Sequence, residues 1–241
     1  MDYLGLSFEQ LDEAAVVALL RERRADSSFA YLVTPNVDHV VRLSTLDRDS
    51  PERRAYRRAA WRLCDSRVLS ALASLQGIRL PVVTGSDLTN RLVREVALPG
   101  DRICLIGGQA GDIAILSAIR PGVTILQHIP TMGLREDAAA RADAASFASR
   151  SRARFILLAV GSPQQEMIAA AIAEMPEARG TALCIGASID FLAGRTNRAP
   201  RWMQRLSLEW LHRLLINPRR LWWRYLVEGP RIFVLAWKSR R

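Results

Sequence analysis

The sequence predicts an α/β fold: a Rossmann-like, mostly parallel sheet with helices on both faces, followed by a basic amphipathic helical appendage. Two observations predict the sheet. Short apolar runs alternate with segments of helical spacing. The runs are also apolar throughout rather than at every second residue, as strands buried on both faces require. A third observation predicts the appendage: past Gly194 the alternation stops, and arginine and tryptophan take over. The boundary is therefore drawn there, with an α/β domain over residues 1–194 and the appendage over 195–241.

The elements follow in order. Ser7 to Gln10 has the form of a capping box, in which a hydroxyl and an amide satisfy N–H groups at a helix start, and predicts a helix to about Arg24. FAYLVT (29–34) reads as a buried strand, and the spacing from Asn36 to about Leu46 as a helix. Further strands are predicted at WRLCD (61–65), LPVVT (80–84), RICLIG (102–107), VTILQ (123–127), RFILLAV (154–160) and TALCIG (181–186), with helices between most of them.

Composition narrows the class. Of 241 residues, 49% are hydrophobic, enough for one large core. Cys64, Cys104 and Cys184 are far apart and odd in number, so free thiols of a reducing compartment are expected. The opening MDYLGLSFEQ has an acidic residue and no basic stretch, unlike a secretory leader. No uncharged apolar run reaches the about 20 residues that span a bilayer, so a soluble or peripheral protein is expected. His39, His128 and His212 lack ligand spacing, and Asp47-Arg48-Asp49 spells a D-x-D motif inside an arginine-rich polar stretch rather than after a strand. Neither a metal nor a cofactor is predicted.

In a parallel sheet, ligands bind beyond the carboxyl ends of the strands. That rule selects Thr34, Pro35 and Asn36; Asp65; Gly85, Ser86 and Asp87; Gly107 and Gly108; Gln127 and His128; Gly161 to Glu166; and Gly186. Within IGGQAGD (106–112), glycines would let a phosphate approach a helix N-terminus; a tight strand–helix turn explains them equally well. Gly161-Ser162-Pro163-Gln164-Gln165-Glu166 puts proline and amides at a helix start, where they can hold a nucleotide; Glu166 alone also suits a helix-start charge. Asp65 is either a general base at a strand end or the N-cap of the helix beginning near Arg67.

The charge is unevenly placed. Residues 195–241 hold twelve basic and two acidic side chains, and the rest of the chain balances, so the whole net charge of +10 lies in the appendage. Five of the six tryptophans (Trp202, Trp210, Trp222, Trp223, Trp237) lie there too. Interleaved arginine and tryptophan can bind nucleic acid through phosphate contacts and stacking. They can equally lie on an anionic membrane surface. WMQRLSLEWLHRLL (202–215) and RRLWWRYL (219–226) divide into apolar and arginine-bearing sides, which suits an in-plane helix; packing on the main domain is the plainer alternative.

Taken together, these residues resemble the WecG/TagA/CpsF glycosyltransferase family. The resemblance runs from Thr34-Pro-Asn36 through Asp65, Val83-Thr-Gly85-Ser-Asp87-Leu88, Ile106-Gly-Gly108, Gly161 to Glu166, Arg198-Ala-Pro-Arg-Trp202 and Glu209-Trp-Leu-His-Arg213 to Pro218-Arg-Arg-Leu-Trp-Trp-Arg-Tyr225. It implies inverting, metal-independent transfer from a UDP-sugar to a saccharide on undecaprenyl diphosphate, at the inner face of the cell membrane. The donor sugar would be N-acetylmannosamine, its uronic acid, or glucuronic acid, and the product would feed a cell-surface polysaccharide such as an exopolysaccharide. Carried onto matching positions, Asp65 is the catalytic base. Thr34 and Asn36 line the sugar or acceptor site. Gly85, Asp87, Gly107, Gly108, Gly161, Pro163, Gln164, Gln165 and Glu166 bind the nucleotide sugar, and Arg213, Arg220 and Arg224 reach the diphosphate. The chain departs from the family at Ser66, where glycine is usual, at Val82, where arginine is usual, and at Trp223-Arg224, where two arginines are usual. The partners implied are the UDP-sugar donor, the polyprenyl-diphosphate-linked acceptor and an anionic membrane surface, with room for a homo-oligomer and no nucleic acid. A nucleic-acid-binding protein with a Rossmann-like domain is the alternative.

Overall fold

The computed structural model describes residues 1–196, 199, 200, 202, 203 and 208–239. The Arg198–Trp202 motif and the 202–215 segment therefore lie partly outside the described residues, as do the side chains of Arg213 and Arg220. The chain opens with an antiparallel hairpin of β1 (Asp2–Tyr3) and β2 (Leu6–Ser7), followed by α1 (Glu13–Glu22). The expected capping box is thus absent. Ser7 belongs to the hairpin because Tyr3, Leu6 and Phe8 all bury in the core. Asp12 caps α1 instead, accepting from the Ala15 N–H at 2.9 Å.

Six strands build the main sheet: β3 (Ala30–Val33), β4 (Trp61–Arg62), β5 (Arg102–Gly107), β6 (Thr124–His128), β7 (Phe155–Ala159) and β8 (Thr181–Cys184). Their order is β4-β3-β8-β7-β5-β6, and every pairing is parallel. All carboxyl ends therefore share one edge. The run at 80–84 is not a strand, contrary to expectation. Val82 makes a single parallel bridge to Cys64, and the Val83 N–H donates to Cys64 O at 2.9 Å. Pro81 has no N–H to extend that ladder.

Adjacent strand residues bury on opposite faces, which explains the unbroken apolar runs. Tyr31, Val33, Cys104, Ile106, Ile156 and Leu158 join one core; Leu32, Ile103, Leu105, Phe155, Leu157 and Leu183 join the other. The first is covered by α2 (Val37–Ser44), α3 (Pro51–Arg58), α4 (Arg67–Ser74), α7 (Ala138–Arg150) and α8 (Gln164–Ile172). The second is covered by α1, α5 (Gly85–Arg91) with the wide π turn after it (Leu92–Val96), α6 (Asp112–Ile119) and α9 (Ser188–Leu192). Each buried leucine or isoleucine contributes about 1.5–3 kcal/mol by leaving water.

The C-terminal segment contains α10 (Glu209–Ile216), α11 (Pro218–Trp223), a π turn (Arg224–Glu228) and α12 (Arg231–Lys238). Pro218 sits at the start of α11, where its missing N–H costs nothing. Ile232 and Ala236 of α12 bury against α2 and α4, and Gln76 Nε2 donates to Ala236 O at 2.9 Å. Trp222, Trp223, Leu226, Phe233, Val234 and Trp237 stay exposed. Among the described residues, no helix is long and apolar enough to cross a membrane.

Candidate active site

Asp65 follows β4 and is half-buried. It is not the helix cap. Ser66 caps α4, accepting from the Leu69 N–H at 3.1 Å. The Asp65 carboxylate is left to face the Gly85 N–H, which donates to its Oδ2 at 3.5 Å. Asp65 lines a cavity of about 350 Å³ together with Asn36, Asp38, Arg67 and Arg224. Trp210, Tyr225, Leu226, Ile232 and Phe233 of the C-terminal segment form its apolar side. One part of the lining is thus carboxylates, an amide and cations, and the other is greasy.

The neighbouring strand end is tightly packed. Thr34 is buried and its hydroxyl donates to Cys184 O at 3.4 Å. A Cβ on Gly85 would lie 3.3 Å from both Thr34 Oγ1 and Ser188 Oγ, so packing alone favours glycine there. Asn36 caps α2 with its Oδ1, which accepts from the Asp38 and His39 N–H groups at 3.1 and 3.3 Å. Its remaining surface faces the cavity. Asp87 belongs to a cap: Thr84 Oγ1 donates to Asp87 Oδ2 at 2.7 Å and accepts from the Asp87 N–H at 3.1 Å. Burial pushes the Cys64 thiol up to about 12, so the residue beside Asp65 is no nucleophile.

At the end of β7, Gly161 has φ +80 with open space where a Cβ would be. Pro163 precedes the first residue of α8, and Gln164 is half-buried beside it. Gln165 Oε1 accepts from the Gly186 N–H at 2.8 Å, tying α8 to the end of β8. Thr34 bonds to the same strand end, so the Thr34 and Gln165 regions lie on one side of the molecule. Glu166 is turned inward. Its carboxylate accepts from Tyr56 Oη at 3.0 Å, Ser162 Oγ at 2.8 Å and Gln165 Nε2 at 2.9 Å. Burial holds it above the ordinary carboxyl range, while these donors pull the other way.

The glycine turn after β5 does structural duty first. A Cβ on Gly107 would lie 2.7 Å from Val160 Cγ1, and one on Gly108 would lie 2.5 Å from Asp112 Oδ2. Asp112, fully buried, accepts from the Gln109 N–H at 2.8 Å and pairs with Arg195 at 2.6 and 3.2 Å. The crevice between β5 and β7 remains the point where the chain departs in opposite directions, to β6 on one side and β8 on the other. Such a point is the usual ligand site of an open parallel sheet.

The structure therefore gathers Asp65, Asn36 and Arg224 in one cavity, with Thr34 and Gly85 beside it and Gly107, Gly108 and Gly161–Gln165 further along the same edge. Sequence reasoning missed Asp38, Arg67, Trp210, Tyr225 and Phe233 as lining residues. Trp210 and Tyr225 stood within motifs of the resemblance without being assigned to the site, and Asp38 left a local trace in its spacing of four from Arg42 on α2, where the two stand 3.8 Å apart. Asp49 is exposed and pairs with Arg57 at 3.4 Å, as expected of a solvated loop.

Fold and cavity together define an α/β protein with a parallel sheet whose carboxyl edge is partly roofed by its own C-terminal helices. The chain belongs to the glycosyl transferase WecG/TagA/CpsF family, which matches residues 1–241. It is similar to the N-acetylglucosaminyldiphosphoundecaprenol N-acetyl-beta-D-mannosaminyltransferase of Bacillus subtilis (strain 168), with 27% identity over 164 residues. That match covers 66% of this chain and 60% of the relative.

Proposed function

We propose that this chain transfers a sugar from a UDP-sugar to a saccharide carried on undecaprenyl diphosphate. The reaction is an inverting, metal-independent single displacement. Asp65 removes the proton from the acceptor hydroxyl as that oxygen attacks the anomeric carbon, and UDP leaves. The growing charge on UDP is met by guanidinium groups, foremost Arg224 and, in sequence, Arg213 and Arg220. The nucleotide lies at the β5/β7 crevice against Gly107, Gly108 and Gly161–Gln165, with Glu166 holding that loop from behind. The acceptor enters past Asn36 and Thr34. The observation that carries the reading is Asp65 in a cavity shared with Asn36 and Arg224. Family membership and the relative's name support the reaction class. The sugar is N-acetylmannosamine, its uronic acid or glucuronic acid, and the product serves cell-surface polysaccharide synthesis.

Exposed Trp222, Trp223 and Phe233 beside arginines suit a peripheral position on the anionic inner face of the membrane. The test is UDP release with a polyprenyl-diphosphate-linked saccharide. Asp65→Asn should keep the melting temperature and lose turnover about 10²–10⁴-fold. A fully active Asp65→Asn enzyme would remove the base from the scheme.

A further inference from the structure

The C-terminal segment meets the α/β body at an ion pair whose acidic half the catalytic scheme leaves unused. Arg224 Nη2 stands 2.8 Å from Asp38 Oδ2. Asp38 is the second residue of α2, after the Asn36 cap and Val37, and lines the same cavity as Asp65. Its carboxylate also faces Arg42 Nη1 at 3.8 Å. Arg42 in turn grips the loop after β7: its Nη2 donates to Ser162 Oγ at 2.7 Å and its Nε to Glu52 Oε1 at 2.5 Å. Ser162 Oγ donates onward to Glu166. A continuous polar chain thus joins Arg224 to the loop that carries Gly161 and leads into α8.

Arg224 is incompletely satisfied. Among the described residues, its Nε is buried with no hydrogen-bond partner. A guanidinium offers five N–H donors in a rigid fork, so a carboxylate holding one terminal nitrogen fixes the direction of the others. The arginine side chain as a whole is 38% exposed and lines the cavity, so an anion entering there meets its guanidinium.

We propose that Asp38 is a positioning residue. It holds Arg224 by one terminal nitrogen so that the rest of the fork meets a diphosphate entering the cavity. This rests on the glycosyltransferase reading, in which two diphosphates visit the site, that of the nucleotide and that of the lipid. Asp38 touches neither. Its carboxylate sets the angle of the guanidinium, and Arg42 ties that angle to the β7 loop.

The test uses the full chain and needs no turnover. Calorimetry measures binding of UDP against uridine, and of farnesyl diphosphate against farnesol, to the parent, Asp38→Asn, Asp38→Glu, Arg224→Ala and the Asp38→Asn/Arg224→Ala pair. Asparagine is isosteric and keeps the helix start, and circular dichroism checks folding. In the parent, at least one diphosphate should bind more tightly than its unphosphorylated counterpart. Asp38→Asn should weaken that diphosphate about 10-fold, the scale of one charge-assisted contact, and leave uridine and farnesol unchanged. Asp38→Glu should recover part of the loss, and the double variant should bind no worse than Arg224→Ala alone. The diphosphate that responds identifies which substrate the arginine serves. A merely structural pair would alter uridine or farnesol binding equally, which would overturn the proposal. Unchanged diphosphate affinity in Asp38→Asn, with a loss in Arg224→Ala, would also overturn it while leaving the glycosyltransferase reading intact. A parent that binds neither diphosphate would overturn both.

Discussion

Arg195 gives the sharpest stability test. Asp112 has no exposed side-chain surface, and its carboxylate is met by one backbone N–H at 2.8 Å and by two nitrogens of Arg195 at 2.6 and 3.2 Å. Arg195→Ala would strip a buried anion of its counterion, which costs about 3–5 kcal/mol in a sealed site. The arginine side chain is 27% exposed, so water enters the vacated space and screens the charge. Screening brings the expected loss to about 2–3 kcal/mol. For a domain of this size each kcal/mol moves the melting temperature by about 2–4 °C, hence a drop of about 4–12 °C. Thermal denaturation followed by far-UV circular dichroism at neutral pH reads it directly. Adding Asp112→Asn should recover at least half of the drop, because a neutral amide needs no counterion. A single variant melting within about 1 °C of the parent would refute the reasoning. So would a double variant no better than the single one.

Glu166 makes a prediction about pH. Its folded carboxyl is raised above the ordinary value of 4.5 by burial, so the folded chain binds this proton more tightly than the unfolded chain. The resulting stabilisation is complete below the unfolded value and is lost as pH rises through the folded one. Glu166→Gln lacks the titration, so its melting temperature relative to the parent should climb as the pH is raised above the ordinary carboxyl value; a constant difference contradicts this. The glycine turns can be separated by alanine. Gly161→Ala meets only the cost of a left-handed backbone, about 1–2 kcal/mol. Gly107→Ala adds a contact of 2.7 Å with Val160 and should cost about 1–3 kcal/mol more in urea denaturation, and the reverse ranking would contradict the packing described. On anionic vesicles, Trp222→Ser/Trp223→Ser should sediment less than the parent; equal sedimentation would remove these side chains from the membrane contact.

Much of the sheet was legible because a strand buried on both faces must be apolar at every position. That requirement marks β3, β5, β7 and β8 without any knowledge of their partners. It misleads at 80–84, where the same composition includes Pro81 and the segment forms a single bridge. The opening hairpin was illegible since its strands are two residues long and Ser7 mimics a helix cap. The edge that gathers the candidate residues could be read from strand ends alone, since parallel strands place all their carboxyl termini together. The closing contacts could not. Arg195 meets Asp112 across 83 positions, and Arg224 meets Asp38 only because α12 docks on α2 and α4. No periodicity records a partner that far away. The apolar cavity wall was hidden for a related reason: Trp210, Tyr225 and Phe233 belong to amphipathic helices whose patterning shows a greasy side but not what that side faces.

The strand order has a consequence for synthesis. β8, the last strand of the sheet to be made, inserts between β3 and β7 and is the sole link between the pair β4-β3 and the trio β7-β5-β6. Until residue 184 leaves the ribosome the sheet can form no further than two halves, each of which would present a bare hydrogen-bonding edge to the same vacant slot. Closure of the main sheet is therefore a late, long-range event, and the nascent chain is most prone to pair with a neighbour in the interval before it.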